Sequence, residues 1–78
     1  MTAYMVTYID WSCDDTNSFL LGYYSNYCRA KHAVMKHAAK YMSFTDIRKN
    51  IPETMLGSYM RIIMDEKNDY IIEEILIE

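Results

Sequence analysis

Few side chains in this sequence have the types and spacing to hold a metal or attack a bond. His32 and His37 lie five residues apart. A zinc-binding pair on a helix sits four apart and faces one way, whereas a separation of five leaves the two rings about 140° apart around the helix axis. Cys28 with His32 at i+4 would set a thiol and a base on one helical face, and a helix N-terminus lowers a thiol pKa. No third group orients His32 and no oxyanion motif accompanies the pair, so Cys28 is expected to be a packed, inert thiol. Asp14-Asp15 has no EF-hand spacing and reads as loop chemistry. Glu73 and Glu74 are adjacent in a strand and so point to opposite faces, which disfavours a shared acid/base pair. No glycine-rich phosphate loop and no Gly-x-Ser-x-Gly elbow is present. The expectation is a protein without catalytic residues, metal or cofactor, working by binding.

Two charged sets suggest what it binds. Asp65, Glu66, Asp69, Glu73, Glu74 and Glu78 form an acidic group read as an edge that imitates nucleic-acid phosphates and docks in a basic channel, giving fast, salt-sensitive association. Arg29, Lys36 and Lys40, with His32 at the margin, form a basic helix face that could track phosphates, and the alternative function is an oligomeric module that binds nucleic acid or anionic nucleotides through this face, although solvated helix faces carry the same residues. Net charge is −3, but residues 27–50 hold six Lys/Arg against one acid (+5) and the remainder two against ten (−8). The domain is electrically polarised, while its overall acidity disfavours strong nucleic-acid binding.

These residues require a scaffold. Ala3–Trp11 (AYMVTYIDW) and Phe19–Tyr24 (FLLGYY) are rich in aromatic and β-branched residues and read as strands, joined across a polar loop into a hairpin. Ser25 has the chemistry of an N-cap. Asn26–Met42 reads as a long helix, with Tyr27, Ala30, Val34, Ala38 and Tyr41 on one face and Met35 and Met42 widening it. Lys31 falls within that stripe and must snorkel. Residues 43–56 read as a connector with one or two short helical turns, capped at Thr45 or Asp46 and broken at Pro52. Gly57–Asp65 and Tyr70–Glu78 read as two more strands around a polar turn at Glu66–Asp69. Glu73-Glu74 breaks the alternation of the last strand and suggests a bulge or a protected edge. The fold class is α+β: a four-stranded antiparallel sheet with one long helix on one face, in the order β-β-α-short α-β-β.

One helix covers one face of such a sheet, yet both faces read as apolar. Tyr4, Val6 and Tyr8 oppose Met5, Thr7 and Ile9; Phe19, Leu21 and Tyr23 oppose Leu20, Gly22 and Tyr24; Met60, Ile62 and Met64 oppose Tyr59, Arg61 and Ile63. Gly22 would let a helix approach, which assigns the helix to the Leu20 side. Either the 43–56 connector folds over the second face, or that face is an interface. Eight Tyr and seven Met favour the interface, with Tyr4, Tyr8, Phe19, Leu21, Tyr23 and Tyr59 as its expected residues.

Seventy-eight residues make one domain, marginally stable by itself, so a homo-oligomer, most simply a dimer, is expected. A hydrophobic content of 51% argues against disorder. Cys13 and Cys28 read as reduced thiols of a cytosolic protein, with a single bridge as the alternative. No leader is visible at Met1-Thr2-Ala3-Tyr4 and no apolar run approaches a membrane span, so a cytoplasmic, non-membrane protein is expected.

Gly22-Tyr23-Tyr24-Ser25 followed by Ala30 and Ala33 on a helix, with Ile72-Glu73-Glu74-Ile75 in the closing strand, resembles small phage and bacterial proteins built as a hairpin, a capped helix and a closing pair of strands. In size and composition the chain is also similar to phage accessory proteins that inhibit bacterial defence, including anti-CRISPR proteins. The resemblance implies a host protein complex, such as a defence nuclease, as partner, and transfers no functional residue.

Overall fold

A computed structural model describes residues 1–12 and 16–77. The chain runs β1 (Thr2–Asp10), β2 (Asn17–Tyr24), α1 (Tyr27–Ala38), α2 (Phe44–Asn50), β3 (Tyr59–Ile63) and β4 (Asn68–Leu76). The four strands form one antiparallel sheet in the order β2-β1-β4-β3. The fold class is thus α+β with a four-stranded antiparallel sheet, as expected.

The single long helix is not. α1 is 12 residues long, and its stop has a local cause. Ala38 accepts from both Tyr41 N and Met42 N at 3.0 Å, which winds residues 39–42 into turns. Ser43 immediately caps α2, its side chain accepting from Asp46 N. Two helices cannot share that cap, so the good helix formers Ala39 to Met42 are used in a corner. Asn26, not Ser25, caps α1, its Oδ1 accepting from Arg29 N at 2.9 Å. α2 begins before Thr45 and ends at Asn50, and its C-cap Ile51, which precedes Pro52, is extended as proline favours.

The core lies on one side of the sheet. Val6, Met60, Ile62, Tyr70 and Ile72 project from the strands against Ala30, Val34 and Ala38 of α1, and Ile47 and Ile51 of the connector enter the same core. Residues 43–56 therefore pack beside α1, with Tyr27 Oη donating to the Pro52 carbonyl at 2.6 Å, instead of crossing the opposite face.

Strand placement corrects two further expectations. β4 is an interior strand, in unbroken register with β1 from Thr2↔Leu76 to Asp10↔Asn68. Glu73-Glu74 is thus neither a bulge nor an outer edge. The irregularity lies in β2, where Val6 pairs Gly22 but Thr7 pairs Leu20, leaving Leu21 as the extra residue. Side chains change sides across that bulge. Leu20 joins Tyr23 on the open face, while Leu21 and Tyr24 pack towards the core.

Gly22 is required by its backbone and not by a neighbouring helix. Its φ is +153°, and an added Cβ would lie 3.0–3.4 Å from the hydroxyl end of Tyr24. Gly22→Ala is expected to destabilise by about 1–2 kcal/mol, read as a lower urea midpoint; an unchanged midpoint would contradict the role given to the bulge.

Candidate functional site

Three regions bring chemically distinct side chains together: the uncovered sheet face, a tyrosine–histidine cluster on the core side, and the outer flank of α1.

The uncovered face is built by alternation. Met5, Thr7 and Ile9 of β1 lie between Leu20 and Tyr23 of β2 and Ile71 and Glu73 of β4, and Tyr59, Arg61 and Ile63 of β3 complete it. Leu20, Tyr23, Tyr59 and Ile63 are 55–59% exposed. Of the six residues expected on an interface face, the structure places Tyr23 and Tyr59 here. Tyr4, Tyr8 and Leu21 pack against the core instead, and Phe19 stacks on Tyr8 with ring centroids 6.0 Å apart. The β2 bulge moved Phe19 and Leu21. Tyr4 and Tyr8 belong to the face that the helices cover.

At one end of this face sits an ion pair. Asp69 is buried and accepts from Trp11 Nε1 and Arg61 Nε, each at 2.9 Å, and from Arg61 Nη2. The Arg61 guanidinium also lies 5.8 Å from the centre of the Trp11 ring. Three donors on one carboxylate explain why an acid is tolerated there.

This arrangement dismantles the acidic edge. Asp69 is buried and neutralised. Asp65 turns inward on the β3–β4 connection, accepting from Lys67 N, Asn68 N and Asn68 Nδ2. Glu73 lies half-buried on the open face, paired across to Tyr59, and Glu74 is exposed on the other side of the strand, paired with Tyr4. Glu66 is exposed beside Asp65, and Glu78 lies outside the described residues. The described acids are thus divided between a buried ion pair, the β3–β4 connection and the two sides of β4.

The core-side cluster was not foreseen. Tyr70, buried on β4, places its hydroxyl 2.5 Å from His37 Nδ1 and 2.8 Å from the Tyr41 hydroxyl. Tyr8 donates to Asn68 Oδ1, and its ring lies 4.4 Å from that of His37 and 5.2 Å from that of Tyr70. Burial raises the phenol pKa of Tyr70, and pushes that of Tyr41 up to about 12. Burial, with a smaller contribution from Lys40, lowers the pKa of His37 below 6.5. All three groups are therefore neutral near pH 7.

The lowered His37 pKa fixes a sign. The folded state binds a proton at His37 less readily than the unfolded chain does. The stability linked to His37 is thus present above pH 6.5 and is lost as pH falls below it. The urea midpoint is expected to drop between pH 7.5 and pH 5, and His37→Gln should flatten part of that slope. An identical slope in the variant would remove His37 from the linkage.

The flank of α1 keeps the expected basic set together. Arg29, His32 and Lys36 border a shallow depression with Tyr24 and Ala33, and Lys36 and Lys40 border the adjoining groove with Leu21, Tyr24, Ala33 and His37. Lys31 lies on the other side of the helix, by Phe44, Arg48 and Glu53. Cys28 is an exposed free thiol and not a packed one. Cys13, Asp14 and Asp15 lie outside the described residues. No helix among the described residues is long and apolar enough to cross a membrane.

Comparison of the chain with protein-family models, with curated protein sequences and with solved structures finds no match, so residue chemistry alone carries the functional reading.

Proposed function

We propose that this is a non-enzymatic binding protein that acts through its uncovered sheet face, and that the first occupant of that face is a second copy of the chain. The observation that carries the reading is the position of residues 43–56. Both α1 and the connector are on the core side, so nothing within the described residues shields Leu20, Tyr23, Tyr59 and Ile63.

Area and charge favour self-association. Four strands spaced about 4.8 Å apart and up to nine residues long present on the order of 500 Å² in projection. Two such faces together reach the roughly 1,000 Å² that a defined interface requires. The face also carries one half-exposed cation, Arg61, diagonal to one half-buried acid, Glu73, on the neighbouring strand. A two-fold axis between these two brings Arg61 of each copy over Glu73 of the other, the reciprocal pairing that an isologous interface uses. A two-layer sheet sandwich then encloses the apolar rows.

The test is the solution mass. Sedimentation equilibrium on the full chain is expected to show a monomer–dimer equilibrium at micromolar concentrations. A strict monomer at several hundred micromolar would reject the second copy as occupant and return the face to a host protein.

A further inference from the structure

We propose that the groove between α1 and β2 binds the phosphate groups of a small nucleotide. Arg29, His32, Lys36 and Lys40 follow one another along about 16 Å of α1 and the turn after it, at 1.5 Å per residue. Cations on a solvated helix normally stand on a convex surface. Here β2 rises beside the helix, so that Tyr24 and Leu21 form a wall and Ala33, with its small side chain, a floor. The cationic side chains thus border a concavity with an aromatic and aliphatic side, which suits a base or sugar next to a phosphate.

Two further observations direct the groove towards an anion. Among the described residues no acidic side chain borders it, and none of Arg29, Lys36 and Lys40 has an ion-pair partner. His37 is also held in a defined orientation within it. The Tyr70 hydroxyl holds the ring, 2.5 Å from His37 Nδ1 and 2.8 Å from the Tyr41 hydroxyl. In the proposed complex Tyr70 donates to His37 Nδ1, and the His37 proton on Nε2 serves as a neutral donor to the ligand in the groove that Lys36 and Lys40 also line. Ammonium groups supply attraction, and a preoriented N–H supplies direction.

The lining limits the ligand. Among the described residues one tyrosine, Tyr24, and no Phe or Trp lines the two adjoining depressions, which suits one base with its phosphates and offers a longer strand no further stacking platform. The groove lies on the opposite side of the sheet from the face proposed to dimerise, so the two readings stand or fall separately.

Titration of the ¹⁵N-labelled full chain with ADP at low salt tests the proposal. Saturable shifts are expected at Ala33, Lys36, His37 and Lys40, and the Lys36→Gln/Lys40→Gln double variant, changed only at exposed positions, should bind about tenfold or more weakly. Long-range proton–nitrogen spectra should show His37 protonated on Nε2; a proton on Nδ1 would overturn its role as donor. Absence of saturable shifts at millimolar ADP, or equal affinity in the double variant, would overturn the site. Binding of oligothymidylate with no binding of ADP would overturn the assignment to a small ligand.

Discussion

The Leu20→Lys/Ile63→Lys variant is expected to sediment as a monomer at concentrations where the unaltered chain is expected to dimerise, with its dissociation constant raised at least about a hundredfold. Both side chains are more than half exposed, so the isolated fold loses little by the exchange; surface substitutions are usually worth within about 0.5 kcal/mol. In the sandwich the same positions are desolvated on both copies. Each dimer then loses four apolar contacts of about 1 kcal/mol or more and must bury or displace four ammonium groups. Two lysines are preferable to a lysine and a glutamate, because opposite charges at the two positions would pair across a two-fold axis and rescue the contact. An unchanged amide spectrum with a lost dimer supports the interface. A variant that remains dimeric would place self-association elsewhere on the molecule.

The second large effect concerns the ion pair at the end of that face, where removing the more exposed partner is expected to cost more. Asp69 is 3% exposed and Arg61 51%. Arg61→Ala leaves a buried carboxylate with Trp11 Nε1 as its remaining side-chain donor, a loss of about 3–5 kcal/mol as for other broken buried pairs. Asp69→Ala frees a guanidinium that is already half in water, and an indole that is 43% exposed in Trp11; both re-solvate, and the cost falls to about 2 kcal/mol. The Arg61→Leu/Asp69→Leu double variant should recover part of the larger loss, because it removes the charge as well as its partner. Urea unfolding of the three variants gives the ranking directly. Asp69→Ala emerging as the least stable would show that the carboxylate is not the costly member. For a domain whose total stability is on the order of 5–10 kcal/mol, Arg61→Ala sits near the limit of folding.

How much of this was legible in the residues depends on the range of the interactions. The strands were, because runs such as AYMVTYIDW carry β-branched and aromatic side chains throughout. The surplus of apolar strand surface was also legible, since it needs only alternation and one helix. The end of α1 was not, because Ala39 to Met42 satisfy every local helix criterion and are stopped by the cap of the next helix. The bulge in β2 had a signal in Gly22, an isolated glycine within a strand, but Leu20 and Leu21 are alike, so no polarity change showed where the register slipped. The acidic edge failed because strand order decides which acids are neighbours, and the interior place of β4 is a property of the whole sheet. The Tyr8–His37–Tyr41–Tyr70 cluster joins residues up to 62 positions apart, and no spacing rule reaches that far.

The irregular β2 and the five-residue β3 are also the two outer strands. A kinked rim on one side and a truncated rim on the other offer poor templates for adding further backbone, which is how sheets grow into fibres. With lateral growth blunted at both rims, the face-to-face pairing proposed above would end at two copies instead of extending into a polymer.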